Sequence, residues 1–305
     1  MITPTPKKAN HVGMCQHRHY GPATGKRSCL AFVNRGSRLG PMASSGRGPL
    51  RETFDTAAER YDRIRPLYQP EVFDDLALLA ALEPESRVLE IGCGSGQATV
   101  PMAERGYRVV AVELGARFAE IARRKLATHK NATVIVAPFE DWPLPQEPFD
   151  AVVSATAFHW IDPTVRVRKA AEALRSGGNL AVIETSRRPI APQRVIDRFR
   201  DCHKQWTSDP APAFRPHRPG EPPECLAELE ASGLFDRTEV RRYASTHEYS
   251  TEEHHELLLT FSNVLALDAE RQAGLVRCID DVIDGDLGAR LRESTITHLV
   301  VARKE

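Results

Sequence analysis

The feature that most constrains this chain is a short apolar run that stops at three alternating glycines, R-V-L-E-I-G-C-G-S-G at residues 87–96. Glycines at the end of a strand let the backbone turn sharply, and they let a ligand approach without obstruction by a Cβ atom. Residues 97–105 can follow as a helix whose first N–H groups face that ligand. The pattern predicts a strand, a tight turn and a helix that together bind a nucleotide.

The spacing of the glycines distinguishes between nucleotides. The dinucleotide fingerprint G-x-G-x-x-G needs a glycine at position 97, which is Gln97, whereas the third glycine is Gly96. The spacing therefore disfavours a nicotinamide-dependent oxidoreductase. A glycine-rich turn that binds no ligand remains the structural alternative.

The run E-I-G-C-G-S-G at 90–96 resembles motif I of the class I S-adenosylmethionine (SAM) dependent methyltransferases, in which an acidic residue stands two before G-x-G-x-G. The resemblance implies an α/β, Rossmann-like fold with helices on both faces of a seven-stranded, mostly parallel sheet, the last strand inserted antiparallel, and a helical cap. It also implies SAM as cofactor. The motif residues implied to bind it are Glu90, Gly92, Cys93, Gly94 and Gly96.

The segment before the glycine turn carries a second resemblance. The pattern F-D-x-A-A-x-x-Y-D-x-x-R-P at residues 54–66 is similar to the N-terminal segment that folds over bound SAM in many small-molecule methyltransferases. This makes Tyr61 a candidate cofactor contact. An ordinary core aromatic is the equally weighted alternative. A helix is predicted from Pro70 to Leu82, because its apolar residues share one face.

A second buried strand, residues 107–113, ends at Glu113. A carboxylate at this position, beyond the glycine turn, is placed to accept both ribose hydroxyls and to repel a 2′-phosphate. Glu113 is therefore predicted to bind the cofactor, together with the neighbouring Leu114. The alternative is a solvated carboxylate at a strand end.

A third strand, residues 133–137, is followed by proline at position 138. Related methyltransferases often have an acidic residue there that binds the adenine amino group, so this contact has to come from elsewhere. Phe139 is predicted to supply an apolar wall. Glu140 or Asp141 is predicted to take over the amino group. Solvation in the loop is the alternative for both, and the favoured one for Asp141.

The fourth strand, residues 148–157, resembles the F-D-x-V pattern of the family and is expected to bring Ala155 to the cofactor. Its carboxyl end runs into Phe158, His159 and Trp160, where ligands bind in open α/β sheets. Phe158 and Trp160 are predicted to contact the methyl acceptor. His159 is a candidate general base, with the ordering of this loop as its alternative role.

Charge divides the chain into two parts. Residues 1–50 contain eight Lys or Arg and no Asp or Glu, which leaves 33 basic and 41 acidic residues in the other 255. The first part lacks apolar periodicity, so residues 1–50 are predicted to be a disordered basic tail and residues 51–305 the methyltransferase domain. Met42 is an alternative start to Met1.

The six cysteines form no C-x-x-C pair, so neither a zinc site nor a disulfide framework is predicted, and reduced thiols and a cytoplasmic location are expected. No apolar run is long enough for a membrane-spanning helix. The acidic domain lacks a D/N-P-P-Y motif, which disfavours a nucleic-acid partner.

The residues together predict methyl transfer from SAM to an O, N or C atom of a small molecule. His-Trp after the fourth strand resembles the branch that contains trans-aconitate and ubiquinone-type biosynthetic methyltransferases. The alternatives are a SAM-binding regulator or partner protein without catalysis and, less favoured by the spacing, the nicotinamide-dependent oxidoreductase.

Overall fold

The computed structural model describes residues 54–207 and 221–305, so the predicted tail at 1–50 lies outside the described residues. The described residues form one sheet of seven strands, in the order β3-β2-β1-β4-β5-β7-β6. The strands are β1 Arg87–Ile91, β2 Arg108–Glu113, β3 Ala132–Val136, β4 Phe149–Ala155, β5 Leu174–Pro189, β6 Phe235–Ser250 and β7 Arg290–Lys304.

The helices alternate with the strands in the first half of the chain and cluster in the second. They are α1 Ala58–Ile64, α2 Pro70–Leu79, α3 Thr99–Glu104, α4 Ala116–Lys125, α5 Arg166–Ala173, α6 Gln193–Trp206, α7 Glu224–Ser232, α8 Thr251–Leu258, α9 Ser262–Leu265 and α10 Ala269–Leu287. Single 3₁₀ turns lie at Phe54–Ala57 and Phe158–Trp160. None of the described helices is long and apolar enough to cross a bilayer.

The parallel half of the sheet confirms the predicted fold. β1 pairs in parallel with β2 on one side and β4 on the other, and it is buried on both faces because helices cover both. One face packs against α2 through Phe73 and Leu76. The other packs around Phe149 and, from α7, Leu229. The last strand, β7, is antiparallel to both of its neighbours, as the family resemblance implied.

The helix after the glycine turn is shorter than the pattern suggested. It begins at Thr99 rather than at residue 97, and Pro101 stands in its first turn. Proline is tolerated there because the first N–H groups of a helix have no partner within the helix.

The antiparallel half extends the sheet beyond its parallel part. β5, β7 and β6 have 16, 15 and 16 residues, whereas β4 has 7. β5 leaves β4 after Ile183, and from there to Pro189 it pairs only with β7. The overhang is covered by α8 and α10, and α6 packs on α10. The apolar faces of the three helices form a cluster around Phe199, Leu275 and Ile279.

One expectation about the cysteines is wrong for one pair. Cys202 on α6 and Cys278 on α10 form a disulfide that spans 76 residues of sequence. The spacing could not indicate it, because only the packing of two distant helices brings the two thiols together. Cys93 and Cys225 are free and buried.

Candidate functional site

The glycine turn leaves open space where the sequence predicts a ligand. Gly92, Gly94 and Gly96 all have positive φ angles, of 71°, 54° and 84°. A Cβ built on Gly92 would lie 2.5 Å from that of Ala157, so only glycine fits there, whereas a Cβ on Gly94 would meet nothing within 4 Å. Gly94 therefore offers the open approach that a cofactor needs.

Glu113 fixes this turn from the neighbouring strand. Its Oε2 accepts a hydrogen bond from the backbone N–H of Gly94 at 2.7 Å, and its Oε1 accepts one from that of Gly115 at 2.8 Å. A carboxylate has about four acceptor positions, so about two are left for hydroxyl donors such as those of a ribose. Burial raises the pKa of Glu113 above its ordinary value, while the two backbone donors oppose that shift.

Glu90 lies beneath the turn and is buried at 1 % exposure. Its Oε2 accepts a hydrogen bond from the Thr99 hydroxyl at 2.6 Å. Burial raises the pKa of this carboxyl to about 7, against the Thr99 hydrogen bond and with a further contribution from Glu113. Two carboxyl groups at the seat favour a cationic ligand over an anionic one such as a pyrophosphate.

Two polar groups of the same turn have no partner of their own. Ser95 Oγ and Gln97 Nε2 are buried and lack a hydrogen bond within the described part of the chain. Buried polar groups are normally satisfied, and each exception calls for an explanation such as a missing ligand. With the space over Gly94 and the fixed carboxylate of Glu113, they fit the seat of a nucleoside cofactor. Cys93, in the same turn, is buried with its Sγ near the Gly94 carbonyl.

The N-terminal segment packs onto this seat. Asp55 accepts hydrogen bonds from the first N–H groups of α4, at Arg117 and Phe118. Tyr61 meets Phe118 edge to face at a centroid distance of 5.3 Å, and its ring lies 4.9 Å from the Arg65 guanidinium carbon. The segment thus covers the helix that follows Glu113, and Leu114 lies half-buried between them.

The loop after β3 is tied to the loop after β4. Glu140 Oε1 accepts a hydrogen bond from the backbone N–H of Asp162 at 3.1 Å, and its own carbonyl accepts one from Lys169 Nζ. The ring of Phe139 is 3 % exposed within the core and contacts Lys169. Both residues stabilise the loops, which leaves little of the Phe139 ring to serve as the predicted wall.

The residues after β4 separate into core and surface. Ala155 is half-buried at the end of the strand. Phe158 is 2 % exposed, and its ring packs in the core with the Arg166 guanidinium carbon 5.0 Å from its centroid. His159 is exposed, and its ring centroid lies 5.0 Å from that of the half-buried Trp160.

Sequence reasoning missed a group of residues at the carboxyl end of β4 and on the overhang. The Tyr68 hydroxyl shares a hydrogen bond with Thr156 Oγ1 at 2.8 Å, and Thr156 has a φ of 55°. Arg65 donates to the side chain and carbonyl of Thr260, and burial lowers its pKa to about 10. Further polar side chains line the overhang: Thr185, Arg187, Tyr249, His254, Glu293 and Thr295. The alternation of β6 was visible in sequence, but its partners on β7 lie 40 to 69 residues away in the chain.

The comparisons with known proteins agree with this geometry. Residues 89–182 match the methyltransferase domain family. An uncharacterized methyltransferase of Mycobacterium tuberculosis is 36% identical over 135 residues, which are 44% of this chain and 53% of that protein. One of Schizosaccharomyces pombe is 25% identical over 76% of this chain and 87% of its own length. The chain thus spans about half the length of the first of these relatives.

Solved structures show the same architecture over most of the chain. A putative type II methyltransferase from Anaeromyxobacter dehalogenans superposes with a TM-score of 0.54 at 25% identity, covering 78% of this chain and 97% of its own. The YcgJ protein from Bacillus subtilis gives 0.51 at 18% identity, covering 78% and 99%.

The fold and the seat define an α/β protein whose glycine turn and acidic strand end suit a nucleoside ligand. The match of residues 89–182 to the methyltransferase domain family and the likeness to a putative type II methyltransferase support a narrower class, the class I SAM-dependent methyltransferases.

Proposed function

We propose that this protein transfers the methyl group of SAM to a small-molecule acceptor. The observation that carries the proposal is the glycine turn anchored by Glu113, with open space over Gly94. Bound SAM supplies an electrophilic methyl carbon: its bond to an acceptor O, N or C forms as the C–S bond breaks, leaving S-adenosylhomocysteine, while the acceptor's proton passes to a base or to water.

The chain's own contribution is binding and orientation. Glu113 accepts the ribose hydroxyls, and the N–H groups and unpartnered side chains of the turn bind the rest of the cofactor together with Glu90, Leu114 and Ala155. Tyr61 closes over it from α1. Holding two reactants in line is worth up to roughly 7–11 kcal/mol of the barrier.

An enclosed acceptor site favours a small molecule over a polymer. Arg60 and Arg63 of α1 both contact the Glu256 carboxylate of α8, at 3.0 and 2.8 Å, and Arg65 bonds to Thr260. The N-terminal segment and the helical cap thus meet above the carboxyl ends of the strands. A site under such a roof excludes water from the reacting groups.

Isothermal titration with SAM, S-adenosylhomocysteine and NAD tests the proposal, together with mass spectrometry of the purified protein for bound cofactor. We expect the first two to bind and NAD not to. Binding of NAD with SAM ignored overturns the proposal. Binding of SAM without formation of S-adenosylhomocysteine across a broad acceptor panel supports the non-catalytic alternative instead.

A further inference from the structure

The overhang of β5, β7 and β6 carries a row of polar side chains on one face, which we call the polar face: Thr185, Arg187, Tyr249, Glu293 and Thr295. Register places them together. Arg187 on β5 lies opposite Thr295 on β7, and Glu293 lies opposite His247 on β6. Directly paired residues on antiparallel strands have Cβ atoms about 4.5–5.5 Å apart, so these side chains share one surface.

This face is covered rather than open to solvent. Glu293 and Thr295 are each 5 % exposed, although strands that extend beyond the parallel core would ordinarily be exposed to solvent. The cover is α8, whose His254 is 2 % exposed and places Nε2 at 3.8 Å from Glu293 Oε1.

The polar face is short of hydrogen bonds. Within the described ranges, these buried atoms have no partner: Thr185 Oγ1, Arg187 Nη1, Tyr249 OH, His254 Nδ1, Glu293 Oε2 and Thr295 Oγ1. A native protein rarely leaves so many unsatisfied polar groups in one place, because each carries the full cost of desolvation. Five of these atoms lie on the polar face and the sixth, His254 Nδ1, belongs to the helix α8 that covers it, so together they fit a site for a polar ligand.

The charges of this site define the ligand further. The Arg187 guanidinium contributes to lowering the pKa of Arg65, after burial, and burial opposes but does not outweigh the hydrogen bond from His254 and the two guanidinium groups that lower the pKa of Glu293. Two guanidinium groups stand against one carboxylate, and His254 adds a further positive charge when it is protonated. The site therefore has an excess of positive charge, which an anionic ligand offsets.

The polar face adjoins the cofactor seat through the N-terminal segment. Arg65 contacts the ring of Tyr61, which packs on α4 beside the seat, and it also interacts electrostatically with Tyr249 on the polar face. Tyr68 of the same segment bonds to Thr156 at the end of β4. One short segment therefore borders both sites, as the binding sites of a methyl donor and its acceptor require.

We propose that the polar face binds the methyl acceptor and that this acceptor carries a carboxylate held by Arg187. The inference rests on the proposed methyl transfer and names its substrate class, a small carboxylic acid. A guanidinium binds a carboxylate through two parallel N–H···O bonds, and hydroxyl groups beside it satisfy the remaining lone pairs. The hydroxyls of Tyr249, Thr185 and Thr295 are placed for that.

The test uses the full-length protein saturated with S-adenosylhomocysteine. The probes are paired acids and amides of matched shape: acetate with acetamide, butyrate with butyramide, and benzoate with benzamide, together with inorganic phosphate and methyl phosphate. Binding is measured by saturation-transfer NMR and titration calorimetry. We expect at least one carboxylate to bind about 10- to 100-fold tighter than its amide, the range for a charge-assisted hydrogen bond.

Variants locate the effect. Arg187→Gln removes the preference for the acid, Arg187→Lys keeps part of it, and Arg188→Gln, at the exposed next position of the same strand, leaves it unchanged. S-adenosylhomocysteine binding reports whether each variant is folded.

Four results overturn the acceptor class: acids and amides that bind alike, no probe that binds, a preference that survives Arg187→Gln in a folded protein, or a preference for phosphate. All four leave the methyltransferase proposal standing. If S-adenosylhomocysteine does not bind the wild type, the methyltransferase proposal itself is overturned, and this result is distinct from the four above.

Discussion

Glu113 at the end of β2 accepts a hydrogen bond from the backbone N–H of Gly94 in the turn after β1, at 2.7 Å. The two strands are neighbours in the sheet, so this bond joins the two parts of the cofactor seat that the sequence supplies 19 residues apart. The carboxylate that is proposed to bind the ribose also holds the turn that is proposed to pass beneath the cofactor. Changes at Glu113 should therefore affect both the binding of the ribose and the conformation of the glycine turn.

Replacing Glu113 tests this coupling. Glu113→Ala should weaken SAM binding by about 1–3 kcal/mol, because a charge-assisted hydrogen bond is lost and the Gly94 N–H loses its acceptor. Glu113→Gln keeps one acceptor oxygen and should lose less. Calorimetry gives the affinities and urea unfolding the stability. A variant that unfolds easily but binds SAM normally per folded molecule makes Glu113 a structural residue only.

Gly94 offers a test with a matched control. Gly94→Leu fills the space over the turn, so SAM binding should be abolished. Its left-handed backbone adds a strain of roughly 1–2 kcal/mol, and Gly233, which ends α7 with a φ of 66° and open space around it, carries the same strain in Gly233→Leu. Melting temperatures should fall similarly in the two variants, whereas only the first should lose the cofactor. Equal loss of affinity in both would point to strain rather than to filled space.

Glu90 gives a pH dependence of stability. Its pKa is raised from 4.5 to about 7 in the folded protein, so between these values the native state holds a proton that the unfolded chain has lost. The free energy of unfolding should then decrease as pH rises through this window, by up to about 3 kcal/mol from this group. Glu90→Gln cannot titrate, and it should be more stable than wild type at pH 8 but not at pH 4.5.

Urea unfolding of both proteins across this pH range is the measurement. The quantity to compare is the difference in the free energy of unfolding between variant and wild type, because the other groups titrate equally in both proteins. A difference that does not change with pH would mean that folding does not shift the pKa of Glu90.

Local pattern was enough to predict the parallel half of the sheet. Alternating glycines, buried strands and acidic strand ends can each be read from a short stretch of sequence. The structure confirms β1 to β4 and the position of Glu113 at a strand end. The polar face was invisible because its members, such as Arg187 and Glu293, are more than 100 residues apart and meet only through strand register. The burial of Phe158 could not be predicted for a related reason: an aromatic residue after a strand faces either the core or a ligand, and only packing decides.

The disulfide between Cys202 and Cys278 predicts a redox-dependent stability. Closing a loop that spans 76 residues restricts the unfolded chain, which is typically worth about 2–4 kcal/mol. Reductant should lower the free energy of unfolding of the wild type, measured with urea, by this amount. The double variant Cys202→Ala, Cys278→Ala should be less stable from the start and should not respond to reductant. If reductant does not change the stability of the wild type, and thiol reagents modify both Cys202 and Cys278, then the disulfide does not form in solution.

The final prediction concerns His159, which is exposed in the turn after β4 with its ring beside Trp160. Histidine titrates near neutrality, so His159 is proposed to accept the acceptor's proton as the methyl group arrives, a role worth roughly 10²–10⁴ in rate. His159→Ala should then reduce turnover by at least about tenfold with SAM affinity intact.

His129→Ala, in the loop after α4 and remote from the seat, serves as the control and should leave the rate unchanged. The pH profile separates catalysis from scaffolding. The wild-type rate should rise with pH through a single ionisation that the His159→Ala profile lacks, because the base must be neutral to take the proton. If the two profiles coincide, His159 only orders the loop. The acceptor then reacts through an atom that is already nucleophilic, as a bound carboxylate is, and orientation by the protein accounts for the catalysis.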